Sequence, residues 1–201
     1  MSGTVRAAEQ QEDPKPEAKL YKPEHKSEQR PEQRLQQHQE QKTMNIAIFG
    51  MGRIGLPLSL IFAEHGQQVI GVDIDGERVS TINKGIMPFL EHGAEPLLKK
   101  HINKAVRVTS DAEEAVKKCD AIIFTLGTPV DEHVNPIFKQ IEQALINIIP
   151  HLREGQLLIL RSTVSPGTTE YIKRFIEKRT RFRIGHDFFL AFCPERIAEG
   201  F

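Results

Sequence analysis

The sequence predicts an α/β fold: a doubly wound parallel sheet forming a single domain over residues 44–201, preceded by a disordered polar extension over residues 1–43. Three observations carry this. From Met44 onward, short apolar runs alternate with longer segments of helical periodicity, the pattern of strands joined by crossover helices. Gly50, Gly52 and Gly55 stand between the first apolar run and the first periodic segment. Ahead of Met44 the composition changes to Gln, Glu, Lys and Pro, with Val5, Leu20 and Leu35 isolated among polar neighbours.

Taken in order, the extension comes first. Its few aliphatic residues cannot offset an ordering entropy of ~1–2 kcal/mol per residue, so it is expected to be disordered, with a short marginal helix over residues 32–41. It reads either as a solvated extension or as a partner-binding arm; the lack of an amphipathic stripe favours the former, and Met44 resembles a natural start. Six strands follow, over residues 45–49, 68–73, 106–109, 121–126, 157–161 and 188–192. Helical spacing relates Ile54, Leu58, Ile61, Phe62 and His65; then Ile137, Ile141, Leu145 and Ile148; then Tyr171, Ile172, Phe175 and Ile176. Ser110 with Glu113 reads as a capping box opening a helix that ends near Lys118. Residues 44–201 show no internal repeat.

Bulk properties exclude several classes. Lys plus Arg and Asp plus Glu number 27 each, so no global field favours nucleic acid or an anionic membrane surface. No apolar run approaches the ~18–20 residues that span a bilayer, and the N-terminus lacks the apolar core of a signal peptide. Cys119 and Cys193 lie too far apart for a disulfide framework or for paired metal-ligand spacing, so no metal is expected and the cytoplasm is the expected compartment. Both cysteines read as small buried hydrophobes.

The glycines carry the first functional signal. In Gly50-Met51-Gly52-Arg53-Ile54-Gly55, following a strand and opening a helix, Gly50 permits a tight turn, Gly52 lets backbone approach a pyrophosphate, and Gly55 lets helix and strand pack closely. The helix N-terminus then offers N–H groups and a positive partial charge to the phosphates, and Pro57 sits in the first turn, where a missing N–H costs little. Asp73 closes the second strand ~20 residues later, placed to accept hydrogen bonds from an adenosine ribose. With Ile74 and Asp75 next to it, a 2′-phosphate would meet two carboxylates and no immediate arginine, so NAD is expected over NADP. The alternatives are a ligand-free tight turn and a solvated strand-end carboxylate.

Three later segments also sit at strand carboxyl ends: Gly127-Thr128-Pro129, the run from Ser162 through Thr163 to Thr169, and the run from Cys193 through Glu195 to Gly200. With the glycine loop and the segment from Val72 through Asp73 and Arg78 to Val79, they make the chain similar to the UDP-glucose/GDP-mannose dehydrogenase family over residues 44–201. The segments Cys193-Pro194-Glu195-Arg196 and 128–136 resemble the members acting on UDP-N-acetylmannosamine or UDP-N-acetylglucosamine. The resemblance implies a Rossmann domain with NAD contacts at Met51, Gly52, Arg53 and Ile54, at Asp73 and Arg78, at Thr128 and Pro129, and at Ser162 and Thr163. It also implies oxidation of a sugar C6 alcohol to the acid through a cysteine thioester, with Thr163 and Glu195 holding and activating the hydrolytic water and Glu199 near cofactor and substrate. Glu195 and Glu199 read alternatively as solvated loop carboxylates, and Thr163 as a helix cap. The family's nucleophilic cysteine, lysine and asparagine lie beyond Phe201, so the chain is expected to be truncated or split and inactive alone; the family also implies a homo-oligomer and a UDP-sugar partner. Against this stand a non-catalytic NAD module and an S-adenosylmethionine methyltransferase. A basic stretch over Lys173, Arg174, Lys178, Arg179, Arg181 and Arg183 reads as a solvated helix end rather than an anion site.

Overall fold

The computed structural model describes residues 43–127 and 139–196. Along the chain lie β1 (Asn45–Phe49), α1 (Gly55–Glu64), β2 (Gln68–Val72), α2 (Gly76–Asn83), α3 (Ala94–His101), β3 (Val106–Thr109), α4 (Ala112–Lys118), β4 (Ala121–Phe124), α5 (Lys139–Ile148), β5 (Leu157–Leu160), α6 (Thr168–Glu177) and β6 (Phe189–Phe192). The strands form one sheet in the order β3-β2-β1-β4-β5-β6, and every neighbouring pair is parallel. The chain therefore winds outward from β1 to β3, returns to the centre, and winds outward again from β4 to β6. The reversal opens a crevice beyond the carboxyl ends of β1 and β4, which is where ligands bind in sheets of this kind.

Residues of alternating parity send side chains to opposite faces, and both faces are covered. Ile46, Ile48, Val69, Val106 and Val108 pack with Leu56, Leu60 and Ala63 of α1, Ile82 of α2 and Leu98 of α3. On the other face Ala47, Phe49, Ile122, Phe124 and Leu158 pack with Val116, Ile141, Leu145, Ile172 and Ile176 from α4, α5 and α6. All four residues of β4 are buried, because this strand lies at the centre of both layers. Tyr171 of α6 donates its hydroxyl to Glu142 of α5, tying two neighbouring helices together.

Several expectations need correction. The face that α1 buries is Leu56, Ser59, Leu60 and Ala63; Ile61 is half exposed and His65 exposed. This helix is apolar around most of its circumference, so spacing alone does not select a face. The helix α4 is capped one residue later than expected: the Asp111 carboxylate accepts the Glu114 N–H at 2.9 Å. Glu114 does not reach back to complete a capping box; its carboxylate takes Arg107 at 2.7 Å and Lys118 at 2.8 Å. The helices α2 and α3 were not expected at all. Strands β4 and β5 stop short of residues 126 and 161, whose side of the sheet is given over to the site. The extension over residues 1–42 and the positions Thr128, Pro129, Ile137 and Glu199 lie outside the described residues. Among the described residues no helix is long and apolar enough to cross a membrane.

Candidate functional site

The β1–α1 loop is held from three sides. Gly50 takes φ +97° and donates its N–H to Val72 of β2 at 2.8 Å, a backbone conformation that a side chain would strain. Thr125, just past β4, directs its hydroxyl at the carbonyls of Phe49 (2.9 Å) and Gly50 (2.7 Å). A Cβ on Gly55 would fall 1.8 Å from the Gly50 carbonyl oxygen and 2.7 Å from Thr125 Oγ1, so only glycine lets α1 start this close to β1. Met51 turns inward and is fully buried, and its backbone N–H is spent on Asp73. Above Gly52 nothing lies within 4 Å of a would-be Cβ, so the loop is open on its ligand side. Ile54 at the N-cap contributes no capping side chain, and the positive end of α1 faces that opening.

Asp73 is the buried carboxylate of the site, at 5% exposure. Its Oδ2 accepts the Met51 N–H at 2.8 Å and its Oδ1 accepts the Asp75 N–H at 2.9 Å. Arg78 Nη1 reaches both oxygens, at 3.2 and 3.0 Å, while Nη2 lies 3.4 Å from Asp75 Oδ2. No arginine adjoins the two carboxylates in the chain; Arg78 of α2, five residues after Asp73, is the cation that offsets both. Asp75 serves mainly as the N-cap of α2, accepting from Glu77 and Arg78 at 3.0 and 3.1 Å. A cleft of about 440 Å³ opens here, lined by Gly50, Asp73, Ile74, Leu126, Gln143 and Asn147 among others, with the Ile74 side chain fully exposed at its edge.

At the carboxyl ends of β5 and β6 a second group of residues gathers. Ser162 donates its hydroxyl to the Leu126 carbonyl at 2.5 Å, joining the ends of β5 and β4. Thr163 is exposed beside it and does not cap α6, whose N-cap is Gly167. Arg161, which sequence reasoning passed over as a strand residue, organises the rest. Its Nη1 donates to the carbonyls of Cys193 (3.2 Å) and Pro194 (2.6 Å), and its Nη2 lies 3.0 Å from Glu195 Oε2. Glu195 is largely buried, its side chain 13% exposed, so it is no solvated loop carboxylate. Thr125 was also missed; neither residue carries a motif, and only the strand pairing reveals them.

The cysteines divide. Cys119 is fully buried, and burial pushes its thiol up to about 12. Cys193 is exposed, against expectation, because β6 lies at the edge of the described sheet and the residue follows its last paired position. The basic stretch behaves as a helix end: Arg179 stacks on Phe175 at 3.6 Å, and Arg181 and Arg183 lie against Glu154 and Asp187 at 3.8 and 3.3 Å.

A sheet whose winding reverses at β1 and β4, a glycine turn facing a helix N-terminus, and a strand-end carboxylate bonded to that turn together define a dinucleotide-binding domain. The chain belongs to the UDP-glucose/GDP-mannose dehydrogenase family, whose NAD binding domain matches residues 44–201. The UDP-N-acetyl-D-mannosamine dehydrogenase of Pyrococcus horikoshii is 34% identical over 157 residues, covering 78% of this chain and 37% of that protein. The UDP-N-acetyl-D-glucosamine 6-dehydrogenase of Pseudomonas aeruginosa is 34% identical over 160 residues, covering 79% and 37%. Among solved structures, the P. horikoshii UDP-D-ManNAc dehydrogenase superposes with a TM-score of 0.73 at 35% identity, over 77% of this chain and 37% of that one. A ternary complex of P. aeruginosa GDP-mannose dehydrogenase also gives 0.73, at 31% identity, over 78% and 37%. The chain thus spans somewhat over a third of the length of these relatives. Its residues fit the cofactor of the family: the open backbone above Gly52 admits a diphosphate, and the Asp73–Arg78 pair borders the adjoining cleft.

Proposed function

We propose that this chain is the cofactor-holding part of a nucleotide-sugar 6-dehydrogenase that oxidises the C6 alcohol of a UDP-sugar, of the N-acetylmannosamine or N-acetylglucosamine kind, to the uronic acid. The observation that carries the reading is the bond from Met51 N–H to Asp73 Oδ2 at 2.8 Å, which ties the phosphate-binding turn and the ribose-binding carboxylate into one rigid unit. Gly52, Arg53, Ile54 and Gly55 offer backbone N–H groups to the diphosphate, while Gly50 and Met51, whose own N–H groups bond Val72 and Asp73, set the turn against it. Asp73 and Arg78 receive the adenosine ribose. Thr128 and Pro129 after β4, Ser162 and Thr163 after β5, and Glu199 complete the cofactor contacts. Bound NAD supplies the acceptor for the hydride leaving C6.

For the hydrolytic half of the reaction, Thr163 holds a water and Glu195 takes its proton. Glu195 comes from the end of β6 and Thr163 from the end of β5, and these strands are paired neighbours, so both groups belong to the same end of the sheet. Arg161 holds Glu195 by its Oε2, leaving the carboxylate oriented rather than free to rotate. The thioester nucleophile is not Cys119: its buried, strongly raised thiol offers almost no thiolate at neutral pH. We further infer that the domain acts within a homo-oligomer, in the cytoplasm.

Calorimetric titration of the 201-residue chain tests the cofactor assignment; saturable binding of NAD, tighter than of NADP, is the expected result, and no saturable heat with either would remove its basis. The catalytic assignment is tested by adding a family C-terminal fragment that bears the nucleophilic cysteine. NADH production from a UDP-N-acetylhexosamine is then expected, and Glu195→Gln is expected to slow thioester hydrolysis while sparing NAD binding. Equal turnover by the Gln variant would exclude Glu195 as the base.

A further inference from the structure

The phosphate-binding turn carries one cationic side chain of its own, Arg53, and the fold gives that side chain a seat. Its guanidinium carbon lies 5.5 Å from the centroid of the Phe89 ring, inside the distance at which a cation is drawn to an aromatic face. Phe89 belongs to residues 84–93, which join α2 to α3, and sits 36 positions from Arg53 in the chain. The ring is partly buried, packed on the cluster that contains Leu56, Leu60, Ile82 and Leu98. It is therefore fixed by the core, whereas Arg53 is exposed on a long, rotatable stem.

The diphosphate expected over Gly52 is doubly anionic. Backbone N–H groups and the end of α1 answer it with partial charges only, and Arg78 is committed to Asp73 and Asp75 on the ribose side. A guanidinium in the turn itself adds a full charge and a planar pair of donors, the stronger kind of phosphate contact. A long side chain must be ordered to make that contact, and a stacked guanidinium is already ordered.

We propose that Arg53 contacts the cofactor diphosphate through its side chain, and that Phe89 is the positioning residue that holds the guanidinium over the turn. This rests on the assignment of NAD to the β1–α1 loop. Its distinctive consequence is that two residues remote in sequence act as one unit, on one part of the ligand. The segment 84–93 becomes a determinant of cofactor affinity without touching the cofactor.

The test uses the 201-residue chain, with ADP-ribose as a probe that keeps the diphosphate and adenosine as a probe that lacks it, both followed by NMR titration. Arg53→Met is expected to weaken ADP-ribose about tenfold and to flatten the salt dependence of its binding, leaving adenosine unchanged. Phe89→Leu, which keeps the apolar anchor and removes the ring face, is expected to weaken ADP-ribose about threefold. In the Arg53→Met background the same Phe89→Leu change is expected to add nothing, and Phe89→Tyr is expected to bind as the parent does. Should Phe89→Leu lower the thermal midpoint severely, Phe89→Met takes its place in the same cycle. Additive losses in the cycle, or equal losses for adenosine and ADP-ribose, would overturn the proposal while leaving NAD binding intact. A parent chain that binds neither probe would overturn the cofactor assignment itself, and this proposal with it.

Discussion

At Asp73 four donor contacts converge on a single carboxylate, which fills its acceptor capacity. Ribose hydroxyls can enter only by displacing a donor, and the half-buried Arg78 side chain yields more readily than the backbone N–H of Met51 or Asp75. Selectivity then follows from what remains. With Asp73 present, a 2′-phosphate meets a buried carboxylate whose charge Arg78 already offsets; with Asp73 removed, Arg78 is released towards the phosphate. Asp73→Ala is accordingly expected to weaken NAD about tenfold or more and to narrow the difference between NAD and NADP. Calorimetric dissociation constants that leave the ratio of the two cofactors unchanged would refute this account. The cysteines offer a second test at this scale. Burial holds Cys119 up at about 12, so it should resist a thiol reagent such as DTNB in the folded chain, while the exposed Cys193 reacts; labelling of both at once would contradict the buried position. Asp73 was legible in the sequence from its distance to the glycines. Arg78 beside it followed from the resemblance; its contact with both carboxylate oxygens did not, because that depends on α2 turning a side chain back across the strand end.

Between elements, the informative detail is where each helix begins. Sequence reading starts α4 at Ser110 with Glu113, whereas the cap observed lies one residue on, at Asp111 with Glu114. The structure chooses Asp111, whose extended backbone (φ −86°, ψ 96°) lets its carboxylate meet the Glu114 N–H. Asp111→Ala is therefore expected to destabilise the domain by about 1 kcal/mol, and Ser110→Ala to leave its stability nearly unchanged. Urea denaturation of the two variants checks this; the reverse order would restore the earlier register. The helix α1 teaches a related lesson. Periodicity identified it as a helix, but a segment apolar on most sides has no unique stripe, and its buried face was decided by the close start that Gly55 permits. Where the pattern is one-sided, as in Ile141, Leu145 and Ile148 of α5, the same method located the buried face directly.

Over the whole molecule, the six parallel strands and the glycine turn were legible because each depends on neighbouring residues, whereas Thr125, Arg161 and Phe89 act through pairings of remote segments. The same long-range logic governs how the fold should respond to acid. Glu64, at the end of α1, accepts Lys100 at 2.7 and 2.8 Å and His101 at 2.6 Å from α3, and these partners hold its carboxyl down to about 2. Glu114 of α4, paired with Arg107 of β3 and with Lys118, is likewise held to about 2. The partners of Glu113 and Asp187 lower them as well: chiefly Lys117, with His151, for the first, and Arg183 for the second. Each group is more acidic folded than unfolded, where the glutamates titrate at 4.5 and Asp187 at 3.8, so the unfolded chain takes up protons that the folded chain refuses. The stability these groups contribute is thus complete above pH 4.5 and is lost as the pH falls towards about 2. All four sit where solvent and salt screen them, so the loss should shrink at high ionic strength. The thermal midpoint at low salt is expected to fall steadily across that window, and Glu64→Gln combined with Glu114→Gln is expected to start lower at neutral pH and to decline less steeply. A midpoint that holds level down to pH 2, or a double variant that tracks the parent throughout, would show that these pairs do not bind the elements of the fold together.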